Sequence, residues 1–170
     1  PGTMEMARLL ASISARQDPL ANRFLNLRRI ETYQAALRGE LAPPQQLEIR
    51  FQLATELLQA NRLEDALVEI QRVRDIAKSA EIPIIEANDI NLHIREALCY
   101  MRRGELANCL SNHNADSCLL PLRGGGLYQW QDDSRKAQSL LATFLERHPD
   151  NLAGRWLYNI AGMTLGEYPD

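Results

Sequence analysis

Residues 47–80 read LEIRFQLATELLQANRLEDALVEIQRVRDIAKSA, and this stretch decides the fold. Leu53, Ala54, Leu57 and Leu58 recur at helical spacing and form one apolar stripe. Leu63, Ala66, Leu67, Ile70 and Val73 form a second, and Asn61 sits at a turn between the two. The reading is an αα-hairpin, two antiparallel helices joined by a very short connection. Ala54 and Ala66 are small enough to lie where two helix backbones approach closely.

Working outward toward the C-terminus, a further hairpin is expected after Pro83. Ile94, Ala97, Leu98 and Met101 make one face, Gly104 reads as the turn, and Glu105 to about Ser111 reads as the return helix. From Asn112 to Gln131 no helix period survives, and the stretch contains Pro121 and Gly124-Gly125-Gly126. Helix resumes near Ser134 with Ala137, Leu140, Leu141, Phe144 and Leu145 on its apolar face, and Arg147-His148-Pro149 ends it. Asp150 or Asn151 caps a last helix carrying Trp156, Ile160, Ala161 and Leu165, with Trp156 read as core. Toward the N-terminus, Met6, Leu9, Leu10 and Ile13 have amphipathic spacing, and Asp18-Pro19 breaks that helix. Asn26 reads as the N-cap of a helix burying Ile30, Tyr33 and Leu37 and ending near Gly39, and Pro43-Pro44 opens the next.

These units repeat. Asn61-Leu63-Ala66, Gly104-Leu106-Cys109 and the start of a match at Gly166-Tyr168 share the turn, hydrophobe and small-residue order of a tetratricopeptide unit. The fold class expected is all-α, stacked antiparallel helix hairpins in a degenerate tetratricopeptide-like α-solenoid, with one long Cys/Gly-containing loop. It reads as a single domain: residues 1–42 an N-terminal helical cap, 43–111 two helix hairpins, 112–131 an irregular loop, and 132–170 a final helix pair. Such units bury their faces only by stacking.

Composition agrees with this reading and excludes other classes. The 170 residues suffice for one domain with a core, and the 45% hydrophobic share carries only 6% aromatics. A net charge of -3 gives no electrostatic reason to expect nucleic acid or an anionic membrane. Arg28 and Arg29, the densest basic spot near the start, read as a solvated helix face. No apolar run reaches the roughly 20 residues of a membrane span. No signal peptide is visible, and Pro1-Gly2-Thr3 reads as a cut edge that leaves the compartment open.

The irregular stretch is the candidate site. It places Cys109, His113 and Cys118 close in sequence, a set of soft ligands for a transition metal. The competing readings are a Cys109–Cys118 disulfide closing a short loop, or thiols packed as small apolar groups. Cys99 makes the cysteine count 3, an odd number, so one bridge plus one buried thiol is a further possibility. A zinc site needs a fourth ligand, and His93 and His148 are remote in sequence. Cys109 and His113 also have i, i+4 spacing for a nucleophile and base, but no oxyanion hole or orienting acid accompanies them, so no catalytic residue is expected. Gly124-Gly125-Gly126 lacks the Lys-Ser/Thr ending of a phosphate loop and reads as a flexible turn. The binding candidates are His113, Asn114, Arg123, Tyr128 and Trp130, with a structural alternative in which His113, Asn114 and Arg123 cap helix ends or bond the loop backbone.

Several of these residues carry a family resemblance. Asn108-Cys109, His113-Asn114, Ser117-Cys118, the Pro121 to Gly126 loop, and the stretch from Arg155-Trp156-Leu157 to Tyr168-Pro169 resemble the tetratricopeptide-like region that precedes the FG-GAP repeats of bacterial ASPIC/UnbV-type proteins. Residues 18–26, DPLANRFLN, are similar to that family as well. Stacked helix hairpins create a concave surface for a peptide or another domain, so the chain reads as a non-catalytic interaction or scaffold domain. The resemblance implies that it belongs to a larger exported protein, periplasmic, secreted or surface-associated. Its partner would be a protein or peptide, including the calcium-associated FG-GAP propeller downstream, and no cofactor is implied for the helical region itself. In an exported protein Cys109 and Cys118 would meet oxidising conditions. The alternative function is a metal or redox site at Cys109, His113 and Cys118 that supports an activity of the full-length protein.

Overall fold

The computed structural model describes residues 2–169. Among these residues the chain is all-helical, with no strand. Its helices are α1 (Gly2–Arg16), α2 (Asn26–Ala36), α3 (Pro43–Gln59), α4 (Leu63–Ser79), α5 (Glu86–Asn112), α6 (Asp132–Arg147) and α7 (Leu152–Leu165). A single 3-10 turn at Gly124–Gly126 interrupts the loop between α5 and α6.

From α2 onward each helix packs chiefly on the next in sequence. Polar pairs fix the directions. Arg29 near the start of α2 meets Glu56 near the end of α3. Arg50 of α3 meets Glu69 of α4, and Arg74 of α4 meets Glu96 of α5. Arg103 late in α5 holds Asp133 at the start of α6, while Arg147 at the end of α6 reaches Asp89 at the start of α5. Ser134 of α6 touches Thr164 of α7. Start-to-end contacts thus run α2 with α3, α5 with α6 and α6 with α7 antiparallel. The short joint at residues 60–62 turns α4 back along α3, and Arg103 of α5 reaching Glu64 at the start of α4 does the same for α4 and α5.

The α3–α4 joint is as short as the sequence requires. Asn61 adopts φ +60°, a left-handed conformation that Asn tolerates better than most residues. Pro43 and Pro44 occupy the first turn of α3, where a missing N–H leaves no helix bond unmade. The principal core joins α2, α3, α4 and α5 through Ile30, Leu53, Ala54, Leu57, Ala66, Ile70, Leu92 and Cys99. A smaller cluster of Ala97, Leu141 and Leu157 binds α5 to α6 and α7.

Four expectations need correction. Gly104 does not turn the chain. It lies inside a continuous 27-residue α5, so residues 43–111 hold one hairpin and one long helix, not two hairpins. Gly104 is there because α6 crosses at that point: a Cβ on it would sit 3.3 Å from the Cβ of Asp133. Asn26 does not cap α2; its amide donates to Glu56 and Gln59 of α3 at 2.7 and 2.8 Å. Arg29 is not on a solvated face, because its guanidinium is largely buried against Glu56. Trp156 is not core. It is 61% exposed, and Gly154, Leu157, Ala161 and Leu165 supply the buried face of α7 instead.

α1 stands apart. It is helical and amphipathic as the spacing requires, yet none of its residues is buried. Its end is tied to the body where Arg28 donates to the Ser14 carbonyl at 2.6 Å.

Candidate functional site

One buried polar side chain ties the end of the loop between α5 and α6 to α5. Asn108, on the last turns of α5, is 4% exposed. Its amide donates to the Gly104 carbonyl at 2.8 Å and the Trp130 carbonyl at 2.9 Å. Its oxygen accepts from the backbone N–H groups of Gln129 and Trp130 at 2.7 and 3.1 Å. All four hydrogen-bonding positions of the carboxamide are thus used. The C-terminal end of the loop is fixed further by the Tyr128 N–H, which donates to the Thr164 carbonyl at 3.0 Å.

The rest of the loop folds on Asn114 and Asp116. The Asn114 amide donates to the carbonyls of Gly125 and Asn112 at 2.7 and 3.0 Å, and its oxygen accepts from the Asp116 N–H at 2.9 Å. The Gly125 N–H in turn donates to the Asp116 carboxylate at 3.3 Å. Gly126 must be glycine for this closure, since a Cβ there would lie 2.5 Å from the Asp116 carbonyl oxygen. The triple glycine is therefore the place where two loop strands touch, and Asn114 bonds the loop backbone.

His113 ends α5 and is exposed. Its Nε2 lies 3.9 Å from the Cys118 sulfur. Cys109 and Cys118 are exposed free thiols, and both line a cavity of about 60 Å³ with Glu105, Asn108, Ser117 and Tyr128. Burial, with the Glu105 charge next in importance, pushes the Tyr128 hydroxyl up to about 12. Among the described residues no three His, Cys, Asp or Glu side chains converge closely enough to hold a metal ion. His93 and His148 are no help there: both pack on Phe144, at ring distances of 5.8 and 4.8 Å, toward the other end of α5. The third cysteine, Cys99, is buried in the main core, and burial pushes its thiol up to about 12.

Of the remaining candidates, Arg123 is exposed and its carbonyl accepts from the Gly126 N–H at 2.9 Å. Trp130 is 52% exposed, with its backbone held by Asn108 and its ring outward. The structure thus brings Cys109, Cys118, Tyr128 and His113 together and leaves Arg123 and Trp130 on the loop surface.

A second feature has no counterpart among the sequence candidates. An open apolar groove of about 190 Å³ lies where the start of α3, the end of α4 and the start of α5 meet, lined by Leu47, Phe51, Val73, Ile82, Ile84 and Leu92, with Ile85 on its edge. Arg95 stacks its guanidinium over Phe51 at 4.1 Å. The signal for this groove in the sequence is the run Ile82-Pro83-Ile84-Ile85, apolar residues in a segment that proline bars from the helix. Neither a family model, nor a curated protein, nor a solved structure matches this chain.

Proposed function

We propose that this chain is a non-catalytic protein-interaction domain, a tetratricopeptide-like region of a larger exported FG-GAP/ASPIC-type protein, which binds a peptide or a neighbouring domain on its helical surface. The apolar groove between α3, α4 and α5 carries the reading. Successive antiparallel helices leave such a groove open, and apolar side chains of a partner fill it. The partner favoured is the FG-GAP region of the same gene product. Calorimetric titration of this domain with that region tests the proposal. Ile85 is 64% exposed at the groove edge, so Ile85→Glu leaves the fold intact and should weaken binding about tenfold. Unchanged affinity in that variant, or a gene product without such a region, would overturn the reading.

A second reading rests on the sulfur of Cys118 lying 3.9 Å from His113, beside the cavity that Cys118 shares with Cys109. Binding of a soft metal at Cys109, His113 and Cys118 would require the loop to close further. Metal analysis of protein purified without a histidine tag should then find one equivalent of a transition metal, absent in Cys118→Ser. A Cys109–Cys118 disulfide, seen as a two-dalton mass gain on reduction, would exclude thiolate ligation by the pair.

A further inference from the structure

α1 is an amphipathic helix with nothing to pack on. In water a lone helix of its 15 residues is marginal, because helices of this length depend on burying an apolar face. Among the described residues no other helix packs on it closely. The open side of α2 presents Glu31 and Gln34, with Leu27 its main exposed apolar residue.

The stripe is complementary to a copy of itself. Met6, Leu9, Leu10 and Ile13 are placed symmetrically about the midpoint between Leu9 and Leu10. We infer that α1 is a self-association element, on which a second copy of this chain lays its own α1 antiparallel about a twofold axis through that midpoint. Met6 then lies level with Ile13 of the second copy, and Leu9-Leu10 level with Leu10-Leu9, the self-complementary arrangement a twofold interface demands.

Charge supports the same direction. Glu5 and Arg16 lie on one flank of the stripe, and in an antiparallel pair equivalent flanks meet, so Glu5 of each copy approaches Arg16 of the other. The opposite flank is Thr3, Ala7 and Ser14, small residues that let the helices close.

Area supports it as well. The antiparallel arrangement brings the start of one α1 to the α1–α2 corner of the other, where Phe24 and Leu27 stand open. The four stripe residues are 41–58% exposed, Leu27 65% and Phe24 80%. At roughly 200 Å² per fully open side chain these come to about 700 Å², close to the 800 Å² or so that each partner of a stable interface buries. A membrane-lying helix, by contrast, carries a Lys/Arg-rich polar face, whereas this one sets Glu5 among Arg8 and Arg16.

Sedimentation equilibrium over about 1–200 μM tests the inference, with the expected dimer forming at micromolar concentration. Leu10→Glu should be monomeric throughout, with the melting temperature of the body unchanged, since α1 buries no residue. Glu5→Arg alone should weaken the dimer about tenfold by setting like charges together, and Glu5→Arg with Arg16→Glu should restore it. A monomeric wild-type chain overturns the inference, as does a dimer indifferent to Leu10→Glu or a double exchange that fails to restore association. A monomer that instead binds anionic phospholipid vesicles through Leu10 overturns it in favour of a membrane surface.

Discussion

Asn108→Leu should lower stability by about 3 kcal/mol and release the loop from α5. Leucine keeps the branched shape, in a somewhat larger volume, but answers none of the bonds that the carboxamide makes to Gly104, Gln129 and Trp130. The lost bonds hold the loop's last residues against the helix, so the effect has two parts. For a chain of this length the melting temperature should fall by about 9 °C. Amide exchange at Gln129 and Trp130 should also speed up far more than exchange in α3 and α4, because that hairpin belongs to a different core. Asn108→Asp keeps the acceptor for the two N–H groups and loses the two donated bonds, and it adds a buried charge. It should therefore keep the Gln129 amide better protected than leucine does while still lowering the melting temperature. Unaltered exchange at Gln129 in the leucine variant would show that the loop is held from the α7 side, through the Tyr128 bond to Thr164.

That Asn108 matters was only partly legible. A polar residue in a long helix reads as solvent-facing unless a distant segment is known to cover it, and the covering segment is the irregular loop, which has no period to read. The same limit explains Gly104. Glycine within a helical pattern signals a turn when the next apolar residues are in register with a repeat, and Leu106 and Cys109 were. Here the close approach of Asp133 determines the glycine, and that contact spans 29 residues of sequence. By contrast, the α3–α4 hairpin was readable in full, because Asn61, the two apolar stripes and the alanines are all local signals that agree. Trp156 fell on the wrong side because α7 offers two apolar faces. Gly154 lets Phe144 sit close on one of them, and that choice belongs to α6. Among the site residues, His113 and Cys118 are neighbours in sequence and lie 3.9 Å apart, while Glu105 and Tyr128 join the cavity through helix register and loop return.

The second large effect concerns the charges buried between α2 and α3. Glu56 is 4% exposed, and its carboxylate accepts from Arg29 at 2.7 Å and from Asn26 at 2.7 Å. Arg29 also donates to the carbonyls of Pro19 and Leu20 and to the Tyr33 hydroxyl, so one guanidinium joins the α1–α2 corner, α2 and α3. Arg29→Met should cost about 4 kcal/mol, because it leaves a carboxylate in the interior with a single neutral donor. Most of that cost comes from the stranded charge and little from the lost attraction. Removing the carboxylate too should therefore recover stability: Arg29→Met with Glu56→Leu is expected to melt well above Arg29→Met alone and within about 1 kcal/mol of the parent. Chemical denaturation of the parent, the two single variants and the double variant closes the cycle. If the double variant is no more stable than Arg29→Met, the bonds to Pro19, Leu20 and Tyr33 carry the energy, and the role of Arg29 is to fasten the corner that presents α1.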